Sequence, residues 1–253
     1  MRSTRQLTVA TLATMGFAWA LAAAQAKAGT IAGTAVFELP PPKKAAMRYP
    51  SGASVIKTVE SIPTVVFVEG VRPELPLPPP LEGIAIAQKD TMFRPPLVVV
   101  PKGTTIDFPN QDPEFHNVFS YSKPKRFDLG RYPKGESKPV TFDKPGVVKI
   151  YCEIHPWMRA VVVVVENPFH TVVGADGRFS LRDVPPGTYT LIAWNVDAGS
   201  RKVSVTVPPT GGEVEVNLAD GVKAEVPERS IGVAELRGAA GPGRPPEPRP
   251  AGE

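Results

Sequence analysis

Proline is the residue that most limits this chain: 31 of its 253 residues are prolines, and 22 more are glycines. A proline inside a helix removes a hydrogen-bond donor and clashes with the preceding turn, so long helices are disfavoured. Short strands joined by many turns tolerate this punctuation. The chain is long enough to bury a real core, as one large β domain or two small ones, and an all-β fold is expected.

The apolar patterning agrees. Thr30 to Glu38 alternates and reads as a strand, and Thr64 to Val68 as a second. Between them lie a proline run, Leu39 to Pro42, and a polar stretch to about Pro63. Val71 to Leu81 holds five prolines and reads as an extended surface loop. From Ile84 the strand signals come closer together: Ile84 to Gln88, Leu97 to Val100, Thr104 to Phe108, Asn117 to Tyr121, Lys138 to Phe142, Val147 to Tyr151 and Ala160 to Glu166. Turn clusters such as Pro101-Lys102-Gly103 and Lys144-Pro145-Gly146 separate them, which predicts a β-sandwich. Val161 to Val165, five valines in a row, fits a strand buried on both faces. Further strands are predicted at 177–181, 187–194, 202–207 and 214–218, after a break in composition at Asn167-Pro168. Gly238 to Glu253 has almost no apolar side chain to bury, so the chain from 221 onward is expected to be a disordered tail. The domains expected are thus a leader over 1–28, a sandwich over 29–166, a small β module over 167–220 and the tail over 221–253.

The leader is read from Arg2 and Arg5, the mostly small and apolar run Leu7 to Ala24, and Ala26-Lys27-Ala28, with cleavage expected after Ala28. The mature protein is then expected in the periplasm or outside the cell, with no membrane span. Three cationic residues and no acidic one leave with the leader, so the formal charge falls from +4 to +1. With that balance and no nucleic-acid motif, nucleic acid is not an expected partner.

Cys152 is the one cysteine of the chain. In an oxidising compartment a lone thiol is a liability unless it is deeply buried or held by a metal. It stands in VKIYCEIHPWMRA, which places Cys152, His155 and Met158 in a CxxHxxM spacing between two predicted strands. Taken singly, a cysteine or methionine usually fills core and a histidine is usually just hydrogen-bonded. Together on one short loop, a thiolate, an imidazole and a thioether can converge on one ion. A second imidazole then has to come from a remote strand, and His116, 36 residues before Cys152, is the donor expected. Two nitrogens and a thiolate suit both Cu(I) and Cu(II), while a weak axial thioether favours Cu(I). Zinc accepts Cys and His, but its structural sites usually bring four strong ligands and seldom a methionine.

With these residues in view, the chain resembles the cupredoxins, the blue-copper proteins. CxxHxxM with Pro156 and Trp157 is most similar to the short ligand loop of amicyanins. FPNQDPEFHNVFSYS, KRFDLGRYPKG, FDKPGVV and CEIHPWM are similar to bacterial plastocyanin-like proteins often labelled methylamine utilisation proteins. The resemblance covers about Ile84 to Glu166 well and Thr30 to Gly70 loosely. It implies a Greek-key sandwich with one type 1 copper centre, in which His116, Cys152 and His155 are equatorial and Met158 axial. Asn117 would tie the two ligand segments together by hydrogen bonds. Asp176 to Trp194, with its PPGTYTL turn and strand, resembles the carboxypeptidase regulatory-like or transthyretin-like module. That implies binding or support, and at its size the unit is expected to pack on the sandwich or borrow the strand Thr30 to Glu38.

The function expected is single-electron transfer between redox partners. The one spare histidine, His170, cannot build the second copper centre of a multicopper oxidase or nitrite reductase, so catalysis by this chain is not expected. Electrons are expected to leave at a solvent-facing edge of His155, with Pro156 and Trp157 in a docking patch for a redox partner protein. Eight lysines or arginines between Lys123 and Lys149, among them Lys125, Arg126, Arg131 and Lys134, face three acids and suggest a basic rim or an ordinary solvated face. Copper storage or delivery to an exported cuproenzyme is the alternative, and a metal-free recognition module a third reading.

Overall fold

The structure, a computed structural model, describes residues 26–48, 51–70 and 77–223. The expected leader as far as residue 25 and the expected tail beyond 223 lie outside the described residues. Among the described residues the chain is almost entirely β, with a single 3-10 turn at Leu218–Asp220, so the all-β expectation is met. No helix among them is long and apolar enough to cross a membrane.

The first sandwich pairs a five-stranded with a three-stranded sheet. The larger has the order Phe127–Tyr132, His116–Ser120, Gly146–Tyr151, Arg159–Val165, Leu97–Pro101; the smaller has Ser137–Phe142, Thr104–Pro109, Ile84–Ala85. Their inward side chains, including Ile106, Phe108, Val118 and Ile150, form one buried cluster, which Phe93 of the separate hairpin strand Met92–Arg94 joins. The second sandwich pairs Arg178–Val184, Gly29–Thr34, Gly212–Asn217 with His170–Val172, Val65–Val68, Gly187–Asn195, Gly199–Val207, Val222–Lys223. It has its own core around Ile31, Phe179, Leu181 and Leu191.

The valine run explains how the two sandwiches meet. Along a strand successive side chains point to opposite faces. Ala160, Val162 and Val164 face the first core, while Val161, Val163 and Val165 face a third cluster with Val65, Phe67, Ile192 and Trp194 of the second sandwich. Both faces of Arg159–Val165 are therefore buried.

The expected domain boundaries need correction. Gly29–Thr34 runs parallel to Gly212–Asn217 and antiparallel to Arg178–Val184, and Val65–Val68 lies between His170–Val172 and Gly187–Asn195. The first two strands thus belong to the second sandwich, not to a 29–166 unit. An apolar pattern marks a strand without naming its partner, and these two find theirs more than 100 residues away, the first in line with the expected loan of Thr30 to Glu38. Gly33 shows how close the match is, since a Cβ there would meet the Val216 carbonyl oxygen. The polar stretch after Pro42 contains a hairpin, Lys44–Arg48 with Ser54–Thr58, whose Ala45, Met47 and Val55 pack on the first core. The tail does not start at 221, because Val222–Lys223 pairs with Arg201 and Lys202.

Candidate metal centre

Strand register brings the two halves of the site together. Gly146–Tyr151 and Arg159–Val165 are antiparallel neighbours, so residues 152–158 form the connection at one end of the sheet. Phe119 pairs with Tyr151 on the other side, which carries the start of His116–Ser120 to that same end. Inside the connection the Met158 N–H donates to the His155 carbonyl at 3.0 Å, closing a four-residue turn with Pro156 in the second position that proline's fixed φ favours. Asn117 continues the pairing: its Oδ1 accepts the Glu153 N–H at 2.6 Å, and its Nδ2 donates to Asp128 Oδ1 at 3.2 Å.

Cys152, His116 and His155 come together at this sheet end. The Cys152 Sγ lies 3.9 Å from Nδ1 of each histidine, and the two Nδ1 atoms lie 3.0 Å apart. All three side chains are buried. A single ion with bonds of about 2.0 Å to nitrogen and about 2.3 Å to sulfur can touch all three donors, since every pair is closer than two such bonds laid end to end. The donor set therefore fits one soft or borderline cation. Met158 is buried in the same core cluster as Cys152 and Trp157.

Burial by itself pushes the Cys152 thiol up. Hydrogen bonds from the two imidazoles, and from the backbone N–H groups of Asn117 and His155, bring it down to about 6. The thiolate that a metal needs is thus present near neutral pH. Burial lowers the His116 imidazole, but Cys152 and Asp112 outweigh this and hold it above its usual range. Nε2 of His116, the nitrogen turned away from the cysteine, donates to Asp112 Oδ2 at 2.9 Å. A carboxylate behind a histidine in this way fixes the ring's tautomer and orientation.

Asp112 carries no signal in the sequence beyond standing four residues before His116, where an acid reads as loop. Its place is set by Asn110, which is 1% exposed and accepts the Asp112 N–H at Oδ1, 2.9 Å away. Asn110 Nδ2 also donates to the carbonyls of Glu114 and Tyr132, at 2.9 and 3.1 Å. The segment Asn110 to Phe115 is thereby a folded support that presents Asp112 and His116 together.

The expected docking patch is corrected. Trp157 is 1% exposed, with its ring centroid 5.3 Å from that of His155 and its Nε1 donating to the Thr91 carbonyl at 3.0 Å. His155 is itself 1% exposed, because Trp157 and His116 pack against its ring, so it presents no open edge. Pro156 is exposed, as expected. Phe115, beside His116, is 54% exposed and was not singled out by its sequence context. Of the basic residues, Arg131 pairs with Glu153 and Lys125 with Asp143, so two of them are already spent within the chain. His170 is far along the chain in the second sandwich, paired through its strand with Phe67.

No protein-family model matches the chain, and no curated protein matches it. Among solved structures, similar ones include a reduced Cu(I) form of amicyanin, at 24% identity and a TM-score of 0.32, covering 33% of this chain and 83% of that one. A purple cupredoxin from Nitrosopumilus maritimus is similar at 26% identity and a TM-score of 0.30, over 32% of this chain and 99% of that one. A copper-containing nitrite reductase from Thermus scotoductus SA-01 is similar at 26% identity and a TM-score of 0.32, over 39% of this chain and 25% of that one. These likenesses each cover about a third of the present chain.

Proposed function

We propose that this chain is an exported type 1 copper protein that carries single electrons between redox partners and catalyses no reaction of its own. The observation that carries the reading is the buried set of Cys152 Sγ and the two Nδ1 atoms, within 3.0 to 3.9 Å of one another. His116, Cys152 and His155 would hold copper, with Met158 as the weak fourth donor. Copper supplies a one-electron couple that no side chain of this protein offers.

The chain's own part is to hold the donors still and dry. Asp112 and Asn117 fix the His116 segment, the turn from His155 to Met158 fixes the loop, and Trp157 covers His155. Donors held this way change little between oxidation states, which is what fast electron exchange requires. Phe115 and Pro156, exposed beside the two histidines in sequence, offer apolar contact for a partner protein. In an oxidising periplasm a lone thiol is at risk, and occupation by the metal would protect it.

The test is visible and electron paramagnetic resonance spectroscopy of the copper-loaded chain. An intense thiolate-to-copper band and a narrow copper hyperfine pattern are expected, and Cys152→Ser should abolish both. A colourless Cu(II) complex sinks the reading. Ready handover of Cu(I) to an acceptor, without fast electron exchange, supports storage or delivery instead.

A further inference from the structure

The two-residue loop Asp90-Thr91 joins the strands Ala87–Lys89 and Met92–Arg94. Both residues sit in the left-handed region, with φ of 58° and 55°. Two-residue hairpin loops with this geometry favour Asn-Gly, because a Cβ is disfavoured there. An Asp-Thr pair holds such a conformation only where its surroundings compensate. Here the compensation is Asp112, whose Oδ1 accepts the Asp90 N–H at 2.6 Å and whose Oδ2 accepts the Thr91 N–H at 2.8 Å.

The same loop touches both sides of the metal centre. Asp112 Oδ2, besides holding Thr91, accepts Nε2–H of His116. The Thr91 carbonyl accepts Nε1–H of Trp157, whose ring packs on His155. Lys57 of the Ser54–Thr58 strand closes the outer side, bonding to Thr91 Oγ1 with its Nζ 5.5 Å from the centre of the Trp157 ring. We infer that the Asp90-Thr91 loop is a common brace for the two imidazoles, reaching His116 through Asp112 and His155 through Trp157. Asp112 and Trp157 are accordingly positioning residues, and they act on each other through the loop. This rests on the reading of His116 and His155 as ligands, but the brace itself is a property of the metal-free chain.

The test uses the metal-free, full-length protein and nuclear magnetic resonance. Trp157→Phe keeps an aromatic ring and removes the Nε1 donor. It should speed exchange of the Asp90 and Thr91 amides at least tenfold and shift the His116 Nε2 resonance. Asp112→Asn should likewise speed exchange of the Trp157 indole N–H at least tenfold. The direct His116–His155 contact is a second route between the two sides, through Trp157 on His155 and Asp112 on His116, and His155→Ala removes it. In that background Asp112→Asn should still speed exchange of the Trp157 indole N–H, and no further change there overturns the brace. Effects confined to each variant's own side of the loop overturn the brace. Where Asp112→Asn does not fold, Trp157→Phe alone decides. In the copper-loaded protein, both single variants should shift the reduction potential, and the double variant should shift it by other than the sum; additive shifts overturn the coupling. Copper spectroscopy of the unaltered chain reports separately on the ligand reading, so failure of either idea is recognisable without the other.

Discussion

Arg159 and Asp197 are joined by two contacts across the boundary between the sandwiches, Nη1 to Oδ1 at 2.9 Å and Nη2 to Oδ2 at 2.6 Å. The guanidinium also donates to the Glu60 carbonyl from Nε and Nη2, at 3.2 and 2.9 Å. Arg159 follows Met158 directly, so the second sandwich is tied to the end of the metal loop. The planar fork of arginine suits such paired recognition.

With both side chains less than a fifth exposed, removing one partner should be costly. Asp197→Ala is expected to destabilise the chain by about 1.5–3 kcal/mol, since hydrogen bonds to charged groups are the stronger kind. Replacing both partners with leucine should cost less than Asp197→Ala alone, because no charge is then left without its partner. Urea denaturation measures both. A loss under about 0.5 kcal/mol for Asp197→Ala would make the pair equivalent to an exposed one.

Val163 and Ile192 meet in the cluster between the sandwiches, one from each. Ile192→Ala should cost about 2–5 kcal/mol and Val163→Ala about 1–3 kcal/mol, from lost burial and the cavity left behind. Because both open the same packed layer, the double variant should depart from the sum by more than about 0.5 kcal/mol. Additivity within that margin would mean that the layer collapses independently around each site.

Several of these features were readable from residue order, and the reasons differ. The valine run specified a strand with two buried faces, because unbroken β-branched residues leave no face for solvent. CxxHxxM placed three donor-type side chains on one connection, and the connection is where the register puts them. The apolar run Val65–Val68 specified a strand but not its sheet, since partner choice depends on residues far along the chain. The loan of the strand in Thr30 to Glu38 to the second unit, by contrast, was anticipated and is met by its pairing with Arg178–Val184 and Gly212–Asn217. Phe127–Tyr132 was missed because Gly130 is a poor strand residue and Arg131 stands where an apolar residue is due after Phe127 and Leu129; its partner, His116–Ser120, supplies the pairing instead. Asp112 was invisible for a related reason: an acid in a polar loop gains its role only from the Asp90, Thr91 and His116 groups folded around it. Trp157 was expected with Pro156 in a docking patch, yet its indole N–H finds a carbonyl 66 residues away that no local pattern signals.

His170 provides a pH-dependent prediction away from the metal centre. Burial lowers its pKa below the usual range, and the bond to the Asn167 carbonyl offsets this only in part. The unfolded chain takes up a proton near pH 6.5, as ordinary histidine does, while the folded chain resists it. As pH falls below about 6.5 the unfolded state therefore binds more protons, and stability declines until the folded His170 itself titrates. The full contribution is present above that range. Denaturation midpoints should fall between about pH 7.5 and 5.5, and His170→Gln should flatten that part of the profile. An unchanged slope in His170→Gln would assign it to another group.

Asn117 offers the sharpest separation of positioning from folding. Its Oδ1 receives the Glu153 N–H, and its Nδ2 engages Asp128, whose Oδ1 also accepts the Gly130 N–H at 2.9 Å. Asn117→Ala removes both side-chain bonds but keeps the backbone N–H that faces Cys152. Outer partners of metal ligands typically govern affinity by 10- to 100-fold, and a loss of about that size in copper affinity is expected by competition titration. Asn117→Asp keeps an acceptor for Glu153 but sets a carboxylate against Asp128. It should therefore bind copper less well than the parent, and Asp128→Asn in the same chain should restore much of the loss by turning repulsion into a hydrogen bond. If Asn117→Ala retains parental copper affinity, the contact with Glu153 supports the sheet end alone and the metal loop is held by its own turn.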